Sequence, residues 1–390
     1  MKKGTVVQTV MLLVRLAILG AVSISLIEPG PLGVFVQQFL RVSIMFWIVV
    51  EVGRLFVNNV VRNTRFGAVS TNLLTSVFVI FIMMMSMEVV FSFIPQSHVA
   101  GYTFAAQNWL YYYWKTNSLG YRDKPVDEID LQPPRILVVG DSYTAGYGVK
   151  NPDDTYVGQL RELVGDEFEV LNLGANNADS RDEFRNLVNY PYKPAIVVLQ
   201  YYGNDVTKAA NNVGITFHGF APYEDIRGHP TYYLVRSSYI LNYLYWRYPH
   251  GDTSSYVEFL NKAYNDADTM QTHLADLGKF VKYGRDCGVP LLVVIFPFLR
   301  DIESSRVYVD PVSEYFIREG VPVIDVGVIV RDIAPLDRVV NSNDGHPSEL
   351  VHRRVAEVMR DRLAELGWLD PDRLRDATQR AACGADPAGE

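Results

Sequence analysis

Three long apolar stretches dominate the first hundred residues: Thr5 to Ile27, Val34 to Val57 and Asn72 to Ile94. Each has roughly the 20 residues a helix needs to cross about 30 Å of hydrocarbon, so three transmembrane helices are expected here. Three spans put the two ends of the chain on opposite sides of the membrane. Lys2 and Lys3 precede the first stretch, Arg54, Arg62 and Arg65 lie at or between the second and third, and the first loop is Glu28-Pro29-Gly30-Pro31. Basic loops stay in the cytoplasm, so everything after Ile94 is predicted to lie on the periplasmic or extracellular side of the cytoplasmic membrane. A cleaved signal peptide fits less well, because Arg15 interrupts the first stretch and two more follow it. Arg15, Arg41, Glu51 and Glu88 are expected to pair with one another in a three-helix bundle or to snorkel from helix ends, the alternative being a site for a membrane partner. Trp109, Tyr111, Tyr112, Tyr113 and Trp114 read either as an interfacial aromatic belt or as a segment packed on the following domain.

Charge divides the chain at the same place. Residues 1–100 carry 7 basic and 3 acidic side chains, and the remainder carries 29 and 41. The overall net charge of −8 excludes a nucleic-acid binder held by a basic surface. Cys287 and Cys383 are too few for a disulfide scaffold and are read as free thiols.

From Pro133 onward the pattern is that of an α/β domain. Ile136 to Val139, Val170 to Leu173, Ile196 to Leu199, Leu291 to Phe296 and Val321 to Val326 are short apolar runs rich in β-branched residues, as expected of strands buried on both faces of a parallel sheet. Tyr156 to Val164, Arg181 to Val188, Met270 to Tyr283 and Glu349 to Leu366 have helical spacing of apolar residues. The alternation predicts a three-layer α/β/α sandwich with a parallel five-stranded sheet and ligands at the carboxyl ends of the strands. The expected organisation is a membrane anchor over 1–97, a juxtamembrane connector over 98–132 and the α/β domain over 133–370. That domain holds an aromatic insertion at about 206–265, and a tail without fixed structure follows over 371–390.

Chemistry-bearing residues cluster at those strand ends. Gly140-Asp141-Ser142 follows the first strand and opens a helix, where a serine can act as nucleophile once a general base activates it. His346 in Asp344-Gly345-His346-Pro347 is the best base: the residue before a proline is extended, and residues two apart in an extended chain project to one side. Asp344 is thereby placed to orient the ring of His346 toward Ser142. Each motif alone also reads as an ordinary turn or helix cap. After the second strand comes Asn172-Leu173-Gly174, and after the third Tyr202-Gly203-Asn204-Asp205. The N–H groups of Ser142 and Gly174 and the amide of Asn204 are then three candidate donors to a developing oxyanion. His352 reads as a packed or solvated helix residue. His218, His229 and His250 lack carboxylates at ligand spacing, so neither a metal nor a cofactor is expected. The run Tyr232, Tyr233, Tyr239, Tyr243, Tyr245, Trp246 and Tyr248 reads equally as a sugar- or acyl-binding wall or as core packing.

These blocks resemble the SGNH subgroup of GDSL hydrolases, in which Ser, Gly, Asn and His occur in that chain order. Gly140-Asp141-Ser142 is similar to the first block, Gly174 to the second, Gly203-Asn204-Asp205 to the third and Asp344 with His346 to the last. The likeness runs over about residues 118–366 and includes Asn117-Ser118-Leu119-Gly120-Tyr121-Arg122, similar to the lead-in of membrane-anchored members. It implies an SGNH/flavodoxin-like fold with Ser142 as nucleophile, His346 as base and Asp344 as its orienter. Ser142, Gly174 and Asn204 would form the oxyanion hole. Many members space the Asp three residues before the His, whereas here the spacing is two and position 343 is Asn. The Gly-x-Ser-x-Gly elbow of α/β-hydrolases is absent.

The favoured expectation is a serine esterase or O-acyltransferase acting on an acyl ester outside the membrane. The resemblance to members that modify cell-envelope polysaccharides points to an acylated glycan, with an acyl-donor transporter as a possible membrane partner. The alternatives are a lipid or lysophospholipid esterase and, in another class, a non-catalytic assembly subunit that keeps the fold.

Overall fold

The computed structural model describes residues 64–99, 101, 103–217, 223–248, 253–372 and 374, so the first two apolar stretches, His218, His250 and residues from 375 onward lie outside the described residues. The chain divides into two compact units. One comprises residues 1–96, 101–111 and 222–250, the other residues 97–100, 112–221 and 251–390.

In the larger unit β1 (Arg135–Gly140), β2 (Glu169–Gly174), β3 (Ile196–Tyr201), β4 (Leu291–Ile295) and β5 (Val323–Asp325) form a parallel sheet in the order β2-β1-β3-β4-β5. The helices are α1 (Ser142–Ala145), α2 (Tyr156–Val164), α3 (Ser180–Asn189), α4 (Thr207–Asn212), α5 (Thr253–Asn265), α6 (Ala267–Cys287), α7 (Arg306–Arg318), α8 (Val326–Ile329) and α9 (Glu349–Glu365). Side chains alternate across each strand. Leu137, Val139, Leu199, Val293 and Ile295 join Leu187 of α3, Phe280 of α6 and Phe316 of α7 in one core. Ile136, Val138, Val198, Leu292 and Val294 join Leu160 of α2 and Val355 and Met359 of α9 in the other. Both faces are covered, which explains why β1, β3 and β4 read as unbroken apolar runs. Helix α7 is not anticipated by the sequence pattern, because Pro311 sits inside it and a proline normally breaks a helix. A two-stranded antiparallel pair, β6 (Val339–Asn341) and β7 (Asp344–Pro347), precedes α9.

The connector closes on this unit through one side chain. Arg122 is fully buried and donates to the carbonyls of Gly146 (2.8 Å), Val149 (2.7 Å), Lys150 (3.0 Å), Ala145 (3.2 Å) and Tyr113 (3.4 Å). Burial pulls the guanidinium down to about 10, which leaves it charged at neutral pH. Trp114 lies over the guanidinium at 5.3 Å and against the Tyr147 ring at 5.7 Å, so this member of the aromatic cluster packs on the α/β unit. Asn117 fixes the lead-in turn by accepting from the N–H groups of Leu119 and Tyr121.

In the smaller unit a helix runs over Thr64–Phe91 and takes in most of the apolar stretch Asn72 to Ile94; among the described residues no helix is long and apolar enough to cross a membrane. The inner side of this helix is committed to the insertion. Glu88 is buried and accepts from the Ser238 hydroxyl and from the N–H of Tyr239 (2.7 Å) at the start of the helix Tyr239–Trp246. Its partners among the described residues are therefore a helix N-terminus and a serine, as the positive end of a helix dipole favours. Phe91 meets the Tyr243 ring at 5.2 Å. The outer side leaves Leu73, Ile80, Met83 and Val90 exposed. Residues 222–250 of the aromatic insertion thus fold in this unit and not in the one that holds the sheet. Tyr223, Val235 and Trp246 form its small core, with Tyr232 and Tyr245 packed on it. Cys287, expected as a free thiol, is disulfide-bonded.

Replacing Arg122 by Ala orphans several buried carbonyls, and Lys cannot span them from a single ammonium. Both variants are expected to lose about 3 kcal/mol or more, measured as a lower urea midpoint at unchanged m-value.

Candidate active site

The site begins with a four-residue helix that cannot hold itself, since nucleating one helical turn is unfavourable. Its supports come from the sheet. Asp141 caps α1, its Oδ1 accepting from the Tyr143 N–H at 2.8 Å, while its own N–H donates to Gln200 Oε1 at 3.0 Å. Thr144 Oγ1 donates to the same Gln200 oxygen at 2.8 Å and bonds the Tyr156 hydroxyl at 2.6 Å. Asn172 of β2 donates through Nδ2 to the Thr144 carbonyl at 2.8 Å. The helix stops at Gly146, which adopts φ +72°, where a Cβ would stand 2.1 Å from Thr155 Cγ2.

Ser142 is therefore presented at the carboxyl end of β1, and β7 presents the other two groups. His346 Nε2 lies 2.8 Å from Ser142 Oγ, and His346 Nδ1 lies 2.5 Å from Asp344 Oδ1. The Asp344 Oδ1 also accepts from the His346 backbone N–H at 3.2 Å. The chain folds this way locally because β7 is extended and places Asp344 and His346 on one side. Pro347 follows, and Ser348 caps α9 by accepting from the Val351 N–H. The imidazole is held between the rings of Tyr147 (4.9 Å) and Tyr143 (5.2 Å). Asp344 is completely buried. Burial pushes its carboxyl up, but the charge of His346 and the hydrogen bonds from its ring and backbone N–H outweigh that and hold it below the ordinary carboxylate value. The residue therefore stands ionised beside the imidazole.

The three expected oxyanion donors fare differently. Ser142 N–H is the first of α1 and faces away from any intrahelical acceptor. Asn204 stands half-buried in the turn after β3. Gly174 N–H, by contrast, donates to Asn172 Oδ1 at 2.8 Å, so this donor is already engaged. What position 174 requires is the absence of a side chain: a Cβ there would lie 2.1 Å from the Ala145 N and 2.6 Å from the Thr144 carbonyl carbon. The second block lets β2 approach α1. In the turn that follows, Asn177 is exposed and takes φ +60°, a left-handed conformation that asparagine tolerates.

Beneath the site the buried carboxylates are of the opposite kind to Asp344. Burial raises Asp141, and burial together with neighbouring carboxylates raises Glu183 and Asp205 far above their ordinary values. His352 is buried, accepts from the Tyr156 N–H at Nδ1 (3.0 Å) and is held neutral, its value pulled down to about 3 by burial and then by the charges of Arg122 and His346. Sequence reasoning did not find the parts played by Arg122, Gln200, Thr144 and Tyr147. Among the described residues no group of His, Cys, Asp and Glu is arranged to hold a metal ion. His229 caps the helix Pro230–Val235 by accepting from the Thr231 N–H.

Comparison with known proteins places this geometry in context. Residues 138–354, more than half of the chain, match the model of the GDSL-like lipase/acylhydrolase family. Among solved structures the chain is similar to a putative lipolytic protein of the G-D-S-L family from Desulfitobacterium hafniense (13% identity, TM-score 0.37, covering 58% of this chain and 98% of that one). It is also similar to a member of the lipolytic protein G-D-S-L family from Veillonella parvula (14%, 0.34, 60% and 97%). A third is a carbohydrate acetylesterase family member from Sinorhizobium meliloti (13%, 0.36, 60% and 98%). No curated protein matches the chain.

Two outcomes follow from this geometry. Gly174→Ala must displace the α1 backbone and is expected to abolish esterase turnover, checked by comparing activity with folded content from circular dichroism. His352 binds its proton in the unfolded chain below its ordinary 6.5 but in the folded protein only near 3, so it contributes a loss of stability as pH falls from 6.5 toward 3. The slope reaches about 1.4 kcal/mol per pH unit. Stability curves of wild type and His352→Gln, measured from pH 7 to 4, are expected to differ by that slope, the variant's being the flatter.

Proposed function

The chain belongs to the GDSL-like lipase/acylhydrolase family and is a serine esterase, and from that premise we propose that Ser142, His346 and Asp344 are its catalytic triad and that it acts on acyl esters outside the cytoplasmic membrane. The observation that carries the reading is the continuous chain of hydrogen bonds from Asp344 Oδ1 through the imidazole to Ser142 Oγ. Ser142 Oγ attacks the ester carbonyl as His346 Nε2 takes its proton, and ionised Asp344 holds the ring and stabilises the imidazolium. Charge that develops on the carbonyl oxygen is met by the Ser142 N–H and the Asn204 amide, each such donor contributing about 2.7 to 4 kcal/mol. Collapse of the tetrahedral intermediate expels the alcohol, protonated by His346, and leaves an acyl group on Ser142. Water resolves it in a hydrolase; a sugar hydroxyl resolves it in an O-acyltransferase.

The proposed setting is the outer face of the membrane, and the proposed substrate is an acylated cell-envelope glycan. Supporting the setting are the two apolar stretches Thr5 to Ile27 and Val34 to Val57, the basic loops beside them, and the exposed apolar side chains along Thr64–Phe91.

Fluorophosphonate labelling is expected to mark the wild type and not Ser142→Ala, and Asn204→Ala is expected to lower kcat by about 100- to 1,000-fold on p-nitrophenyl acetate. A steep preference for long p-nitrophenyl acyl chains would replace the glycan by a lipid substrate. Unlabelled wild type would end the triad reading.

A further inference from the structure

The turn that carries Asn204 has few local means of fixing its backbone. Asp205 Oδ2 accepts from the Tyr202 N–H at 2.9 Å, and the Thr207 hydroxyl donates to the Asn204 carbonyl. The Asn204 Oδ1 is buried and takes no hydrogen bond, so the side chain does not anchor itself through that atom. Where the amide of Asn204 points depends on the peptide plane that precedes it, whose oxygen belongs to Gly203. That glycine is buried, and a Cβ on it would stand 3.1 Å from Leu260 Cδ1 and 3.1 Å from Tyr308 Cε1, so this backbone packs directly on α5 and α7.

A donor from a distant helix reaches the Gly203 oxygen. Tyr264, near the end of α5, donates its hydroxyl to that carbonyl at 3.0 Å. Behind it stand two more buried groups: the Tyr264 hydroxyl bonds the Tyr201 hydroxyl, which in turn lies 2.7 Å from His273 Nε2 of α6. The order of protons along this row is forced. A carbonyl only accepts, so the Tyr264 proton goes to Gly203 and the Tyr264 oxygen accepts from Tyr201. The Tyr201 proton is then spent, and its oxygen accepts from His273, whose Nε2 carries the hydrogen. The opposite tautomer would leave two phenol oxygens in contact with no proton between them. Burial agrees with this order: it pulls His273 down to about 4 and pushes both phenols well above their ordinary value, so all three are neutral at neutral pH.

We infer that Tyr264 is a positioning residue for the oxyanion hole, and that Tyr201 and His273 hold its hydroxyl in the donating direction. The row ends on a backbone carbonyl and not on Ser142 or His346, so it aligns Asn204 and moves no proton in the reaction. The inference rests on the reading of Asn204 as an oxyanion donor given above.

The test is a double-mutant cycle in the full-length protein with p-nitrophenyl acetate. Tyr264→Phe keeps the ring and removes the donor, and kcat is expected to fall about tenfold with KM little changed, since a misplaced oxyanion donor is felt in the transition state. In an Asn204→Ala background the same substitution is expected to cost less than about twofold, because the amide it aligns is gone. Nitrogen-15 spectra at neutral pH are expected to show His273 protonated at Nε2 and bare at Nδ1. A Tyr264→Phe enzyme with wild-type kcat overturns the inference. So does an equal loss in both backgrounds, since that is a packing defect, and so does a hydrogen on His273 Nδ1 in place of Nε2. If Asn204→Ala itself keeps wild-type kcat the oxyanion reading fails, and if it is impaired while Tyr264→Phe is normal only the positioning role fails.

Discussion

The contact on which the site depends is the approach of the β2 terminus to α1, close enough that a Cβ on Gly174 would overlap the Ala145 nitrogen. A helix of four residues has almost no cooperativity of its own, and its geometry is set by what touches it. With Gly174 bare, Asn172 can reach the Thr144 carbonyl with one side-chain atom and take the Gly174 N–H with the other. Arg122 then holds the opposite end by gathering the carbonyls from Ala145 to Lys150. Ser142 is positioned by packing and satisfied polar groups, with little left to local propensity.

Electrostatics separate the carboxylates at the site into two kinds. Asp141, Glu183 and Asp205 are buried near one another, and mutual repulsion adds to desolvation in favouring protons on Glu183 and Asp205. Asp344 is equally buried but has the imidazole as partner, and its charge is retained. Burial and neighbouring carboxylates thus favour the protonated forms of Glu183 and Asp205 beneath the serine, while the imidazole keeps Asp344 ionised behind the histidine. Groups whose surroundings drive their protonation apart mark where proton transfer is organised.

The parts of this arrangement that could be read from the chain are those governed by short-range periodicity. Buried strands announce themselves as apolar runs because both faces of the sheet are covered, and β1, β2, β3 and β4 fall within a residue or two of where Ile136, Val170, Ile196 and Leu291 put them. Asp344 and His346 were legible because an extended chain alternates its side chains. What was not legible depends on distant contacts. Nothing local says that Gly174 spends its N–H on Asn172, that Arg122 points inward, or that Glu88 caps a helix 151 residues further on. The proline in α7 masked a helix whose buried face, Tyr308, Val312 and Phe316, is clear only once the sheet is present. The aromatic insertion reads alike whether it lines a site or makes a core, because large apolar area is favourable in both settings.

The region that matches the family model begins at residue 138, yet two of the donors that satisfy backbone carbonyls near the site lie before it, Arg122 and the Val99 N–H. This follows from the fold. The sheet fixes Ser142 and Asn204 through strand ends, but the loop from Gly146 to Lys150 and the β6–β7 hairpin are outside the sheet and carry backbone groups that a parallel sheet does not satisfy. Buried carbonyls need donors from somewhere. Here the chain that precedes the sheet supplies them: a guanidinium for the loop and the Val99 N–H for the hairpin. Residues upstream of the region that matches the family model thus donate hydrogen bonds to the loop after α1 and to the hairpin that carries Asp344 and His346.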